Sequence, residues 1–207
     1  MYEKVSYYLL AKKKILGDFE SKEDLEYAQY NLSIILINIE KVVVIYIVAI
    51  SIGMVTHTLI THVSYLVLRK YAGGWHANNS LNCNALSVLT FVIFPKLLLK
   101  LDGLVQNYLL DNKITFLTIL LSLYLVWCYA PADTDRNPIL RRSTRIKMRN
   151  RAMFATIVLI IVLLFINSLS AKLCLLVGMM TEILTITPIF YKLMKRSYAN
   201  YENYKIT

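Results

Sequence analysis

Charge is scarce in this sequence, and its gaps are long. No Lys, Arg, Asp or Glu stands between Lys41 and Arg69, between Lys70 and Lys96, between Lys113 and Asp133, or between Arg151 and Lys172. Charged residues fill 17% of the 207 positions, against about 25% in an average soluble domain. Each gap supplies the roughly 20 helical residues that a bilayer core of about 30 Å requires. Amphipathic alternation is missing as well. Ala155 to Ile166 is apolar on every face, which excludes a surface helix of a soluble bundle and fits lipid or a bundle interior. Cysteine is sparse: Cys83, Cys128 and Cys174 cannot all pair, and two of them lie in or beside apolar runs, where a thiol acts as a small hydrophobe. No disulfide framework can be read. The His-Glu-x-x-His pattern of zinc hydrolases is absent. His57 and His62 point about 140° apart on a helix, so neither a metal nor a cofactor is expected. No repeat, heptad array or low-complexity tract occurs. A cleavable leader is not expected, because the first apolar run follows about 30 residues rich in Lys and Glu.

What remains predicts one all-α, polytopic membrane domain over residues 1–207, a helical bundle of about six spans. Residues 1–30 form a cytoplasmic or interfacial segment. The spans cover Ser33 to Ile52, Val55 to Leu68, Asn84 to Leu101, Ile114 to Ala130, Ala152 to Leu169 and Leu173 to Tyr191. Glu40 and Lys41 are an internal charge pair, disfavoured in a span unless they face protein or water. The basic stretch 133–151 carries Arg136, Arg141, Arg142, Arg145, Lys147, Arg149 and Arg151 against Asp133 and Asp135, and belongs in the cytoplasm by the positive-inside rule. That rule also accounts for the net charge of +10 without invoking nucleic acid. Counting spans from this loop puts Arg69 to Cys83 on the same side and returns Lys192, Lys195 and Arg196 there. A basic N-terminus on that side requires an even number of crossings before Arg69. This parity favours two helices over residues 33–68, where a single tilted helix from Lys41 to Arg69 would invert the N-terminus.

The stretch Arg69 to Cys83 carries the chemistry. It reads Arg-Lys-Tyr-Ala-Gly-Gly-Trp-His-Ala-Asn-Asn-Ser-Leu-Asn-Cys and sets His76 seven residues before Cys83. A thiol with a pKa near 8.5 is mostly protonated at neutral pH, and an imidazole can take its proton. In one straight helix the two side chains would share a face but stand about 10.5 Å apart, beyond the hydrogen-bond reach of about 3 Å. The segment must bend if they are to meet. Gly73-Gly74 and Asn78-Asn79-Ser80 are residues that permit it. Spacing alone does not decide the matter: an isolated histidine and cysteine in a membrane protein are more often a loop residue and a packing residue, and two glycines can form an ordinary interhelical turn.

These residues resemble the accessory gene regulator B (AgrB) family of bacterial quorum-sensing peptidases. A second match is Ala130-Pro131-Ala132-Asp133, then Asn137-Pro138-Ile139 and a basic run, following an apolar span. The resemblance implies a membrane cysteine endopeptidase with His76 and Cys83 as the catalytic pair. The cysteine would attack near the C-terminal end of a small signalling propeptide (AgrD-like), release an acidic tail and hold the rest as a thioester. A nucleophile within the peptide would then close a thiolactone or lactone ring. Arg69, Gly73 and Gly74 would be structural at the site, and Pro131 and Pro138 would shape the exit from the fourth span. Arg141, Arg142, Arg145 and Lys147 would serve as topology signal and could also receive the acidic tail. The resemblance further suggests a homodimer in the lipid bilayer. Other function classes are a transporter, for which Glu40 and Glu182 are the intramembrane charges, and a non-catalytic scaffold that would tolerate loss of Cys83.

Overall fold

The computed structural model describes residues 2–12, 21–74, 80–101, 103, 108, 111–133, 139 and 141–194. Among them the protein is all-α, with no strand beyond an isolated bridge between Gly73 and Ala132. Helix α1 is Tyr2–Lys12 and α2 is Lys22–Ser51. The Ser21 hydroxyl caps α2 by accepting from the Asp24 amide at 3.1 Å, and Glu23 and Asp24 complement the positive end of its dipole. A hydroxyl pair, Ser6 to Ser33 at 2.9 Å, ties α1 to α2. The chain turns at residues 52–54, where Gly53 takes a left-handed φ of 69°, and re-enters as α3, Val55–Ala72. The single tilted helix from Lys41 to Arg69 is therefore not formed.

After the turn at Gly73-Gly74, α4 (Ser80–Val88), a π-helical turn (Leu89–Ile93) and α5 (Phe94–Leu99) run on as one rod. Pro95 cannot donate to a carbonyl one turn earlier, and the wider turn before it accommodates that loss. Then come α6 (Asn112–Tyr129), capped by Asp111, and α7 (Arg142–Phe165). Helix α8 (Leu169–Thr185) is capped by Ser168 and α9 (Pro188–Leu193) by Thr187. Several boundaries differ from expectation. Helix α2 begins at Lys22, ahead of the expected span start at Ser33 and within the stretch 1–30 expected to lie outside the spans. The same apolar helix extends through the polar first turns that Ser21 caps. Helix α7 ends at Phe165, short of the expected Leu169, and begins at Arg142, ahead of the expected span start at Ala152. Arg, Lys, Met and Ala all favour helix, and hydropathy registers lipid contact rather than hydrogen bonding. The last span, expected to run to Tyr191, breaks at Ile186-Thr187, where Pro188 disfavours a helical residue before it.

Among the described residues, four segments are long and apolar enough to cross a membrane: Glu23–Ser51, Asn82–Leu99, Asn112–Tyr129 and Arg142–Phe165. Helices α3 and α8 do not meet that test, and they form the most extensive helix pair, at the centre. Their contact is built on small residues. A Cβ on Gly178 of α8 would collide with the Ser64 hydroxyl and the Thr61 carbonyl of α3, and such small surfaces let helix backbones approach in a bilayer. Burial is inverted relative to a soluble bundle: Phe165 is 81% exposed while Glu182 is 0% exposed. Thr58, Thr61, His62 and Ser64 are buried inside, whereas Ile47, Ile50, Phe116, Leu117, Phe154 and Leu164 face out. An apolar exterior around a polar interior is what lipid as solvent selects.

Candidate active site

The last turn of α3 presents Arg69 to Glu182 of α8. A carboxylate removed from solvent needs a charged or hydrogen-bonding partner, and Arg69 Nη1 stands 3.4 Å from Glu182 Oε2. The Thr185 hydroxyl lies 3.0 Å from the same oxygen. The guanidinium has donors to spare, and its planar fork reaches two successive carbonyls: Nη1 donates to Gly73 O at 2.7 Å and Nη2 to Gly74 O at 3.2 Å. Both glycines need their conformation, with φ of 71° and 113°. A Cβ at Gly73 would meet the Ala132 carbonyl, and one at Gly74 would meet the Arg69 guanidinium and the Thr185 hydroxyl. Helix α3 thus ends at Ala72 and does not continue straight toward Cys83.

The two motifs that stood apart in sequence meet here. The Gly74 amide donates to Ala132 O and the Ala132 amide donates to Ala72 O, each at 2.8 Å. Asp133 extends the frame: its Oδ2 accepts from the Ile139 amide at 3.0 Å and from Arg145 Nη2. Arg145 Nε also donates to Ile139 O at 2.8 Å, and the buried Tyr191 hydroxyl donates to Asp133 O at 3.1 Å. Arg145 is therefore built into the frame, while Arg141, Arg142 and Lys147 are exposed. Pro131 lies within the frame between Ala130 and Ala132. Arg136 and Pro138 lie outside the described residues, as do Lys195 and Arg196.

Cys83, a free and half-buried thiol in the first turns of α4, stands on the wall of a cavity of about 370 Å³. Arg69 and Tyr65 of α3, Thr185 of α8 and Lys41 of α2 share that wall. Glu40 accepts from Asn84 Nδ2 at 3.2 Å, so this charge of α2 meets protein rather than lipid. His62 packs against Tyr46 and Phe91, ring centroids 6.0 and 5.0 Å away. His76 lies outside the described residues, together with Trp75 and residues 77–79. In the sequence Glu182 reads only as an intramembrane charge. Its link to Arg69, across 113 positions, has no local signature.

Fold and site together define an all-helical membrane protein with a free thiol on the wall of a partly polar cavity, next to a clamped glycine turn. The chain belongs to the accessory gene regulator B family, which it matches over residues 2–186. It is 38% identical over 180 residues to an AgrB-like protein of Listeria innocua serovar 6a, a match covering 86% of this chain and 83% of that one. An AgrB-like protein of Listeria monocytogenes serovar 1/2a is also 38% identical over 180 residues, with the same shares covered, 86% and 83%. The accessory gene regulator protein B of Staphylococcus epidermidis is 34% identical over 178 residues, covering 83% of this chain and 87% of its own. No solved structure matches the chain.

Proposed function

We propose that this protein is a membrane cysteine endopeptidase that matures a small signalling propeptide and promotes its cyclisation. Its family supports a role in quorum-sensing peptide processing. The observation that carries the finer reading is a juxtaposition. The free Cys83 thiol opens on the same cavity as Arg69, and Arg69 holds the Gly73-Gly74 turn from which the chain continues to His76.

His76 accepts the Cys83 proton and the thiolate attacks a carbonyl carbon near the C-terminal end of the propeptide. The C–N bond breaks, His76 returns the proton to the leaving amine, and the acidic tail departs. The remaining peptide stays on Cys83 as a thioester. A thiol or hydroxyl within that peptide attacks the thioester carbonyl, closing a thiolactone or lactone, and the Cys83 sulfur regains a proton. Exchange of one thioester for another changes little bond free energy, so excluding water matters more than driving the step. Backbone amides at the start of α4, where the helix dipole favours negative charge, are the candidate oxyanion donors. The site works at the cytoplasmic face of a multi-pass homodimer with both termini in the cytoplasm. Arg141, Arg142 and Lys147 draw in the acidic tail, and Arg145 assists from the frame.

Replacing Cys83 with alanine tests this reading. In membranes containing the co-expressed propeptide, cyclic product falls below detection while the variant accumulates to the wild-type level. Undiminished product would overturn the assignment of Cys83 as nucleophile.

A further inference from the structure

Lys41 is a charge inside an apolar helix with no evident service to the fold. It lies in the Glu23–Ser51 segment, where a lysine is disfavoured unless it meets an anion, a backbone carbonyl or a water-filled space. Among the described residues its Nζ donates to the Asn38 side-chain oxygen at 3.3 Å, and no carboxylate stands within ion-pair distance of it. Its neighbour Glu40 binds Asn84. That contact sets this turn of α2 level with the turn of α4 that carries Cys83. Lys41 and Cys83 line one cavity, and no acidic side chain lines it with them. The other cation on the wall, Arg69, is engaged by Glu182, Gly73 and Gly74. At about 370 Å³, the cavity is within the range of sites that enclose small ligands, about 300–1,000 Å³.

We propose that Lys41 is a specificity-determining residue that receives a carboxylate of the propeptide, from an Asp or Glu side chain flanking the bond presented to Cys83. The proposal rests on Cys83 as nucleophile. It differs from tail docking at Arg141, Arg142 and Lys147, which are exposed on another element. On a cavity wall where Lys41 is half-buried, an ammonium favours a carboxylate over its uncharged amide.

Two small alkylators that differ only in that group read the site without turnover. Iodoacetate and iodoacetamide are reacted with the full-length protein in nanodiscs, and modification at Cys83 is followed by peptide mass spectrometry. Lys41→Gln is expected to lower the iodoacetate-to-iodoacetamide rate ratio at Cys83 by roughly three- to tenfold. Lys41→Arg keeps the ratio, and the iodoacetamide rate does not move. An unchanged ratio, or an equal fall in both rates, overturns the proposal. A second measurement needs only the wild-type enzyme: changing the flanking propeptide carboxylates to amides raises KM about as much. An unchanged KM overturns the proposal equally. Because alkylation needs no peptidase activity, its failure is separable from that of the catalytic reading, which Cys83→Ala tests alone.

Discussion

The two ends of the segment 75–79 are held in different ways. At the Gly74 end, the backbone is bonded to Arg69 and to Ala132, and through Arg69 to the buried Glu182 of α8. At the Ser80 end, Cys83 sits near the start of a helix whose neighbour Asn84 reaches Glu40 of α2. One end is clamped by a polar network across three parts of the chain, and the other leans on a helix beside a cavity. Gly74 and Cys83, which bracket that segment, are therefore placed by two separate scaffolds. Damage to the clamp should act on the geometry between them, and damage at α2 should act on what the cavity accepts.

The largest effect is expected from breaking the clamp at Glu182. Glu182→Leu leaves Arg69 buried beside an apolar side chain, and removing one partner of a buried pair costs about 3–5 kcal/mol. Unfolding in detergent should show a loss of that size, with processing reduced by on the order of tenfold or more. Arg69→Met combined with Glu182→Leu should recover most of the stability, since an apolar pair can replace an ionic one. It should not recover processing, because the Gly73 and Gly74 carbonyls lose their donor. Full recovery of both would show that the clamp only holds the bundle together. A smaller effect separates the basic residues. Arg145→Gln removes bonds to Asp133 and Ile139 and should cost about 2 kcal/mol in stability, lowering kcat at saturating propeptide. The combined Arg141→Gln, Arg142→Gln and Lys147→Gln variant should change stability by only about 0.5 kcal/mol while raising KM several-fold. Matching behaviour of the two variants would dissolve the distinction between frame and docking surface.

Much of the fold was legible because lipid imposes a simple rule. Uncharged runs marked the apolar stretches of α4 to α5, α6 and α7, and the parity of basic loops pointed to the break that occurs at residues 52–54. Local chemistry also gave the bend after Ala72, since only glycine adopts φ of 71° and 113° in succession without strain. Long-range pairing was not legible. The Gly73 to Ala132 bridge, the Arg69 to Glu182 pair and the Asp133 to Arg145 pair join residues with no shared periodicity. Arg145 looked like its basic neighbours and differs from them only in three dimensions. Lys41 looked like a blemish in a span until α4 and α8 closed a cavity around it.

Direct detection of an acyl-enzyme decides most. A propeptide lacking its internal nucleophile is mixed with the wild-type protein and the reaction is quenched in acid. Intact and peptide mass spectrometry should then find the propeptide minus its acidic tail, carried on Cys83 and released by hydroxylamine as a thioester is. Cleavage of the propeptide with no adduct, or with the adduct on Cys128 or Cys174, would contradict Cys83 as the nucleophile.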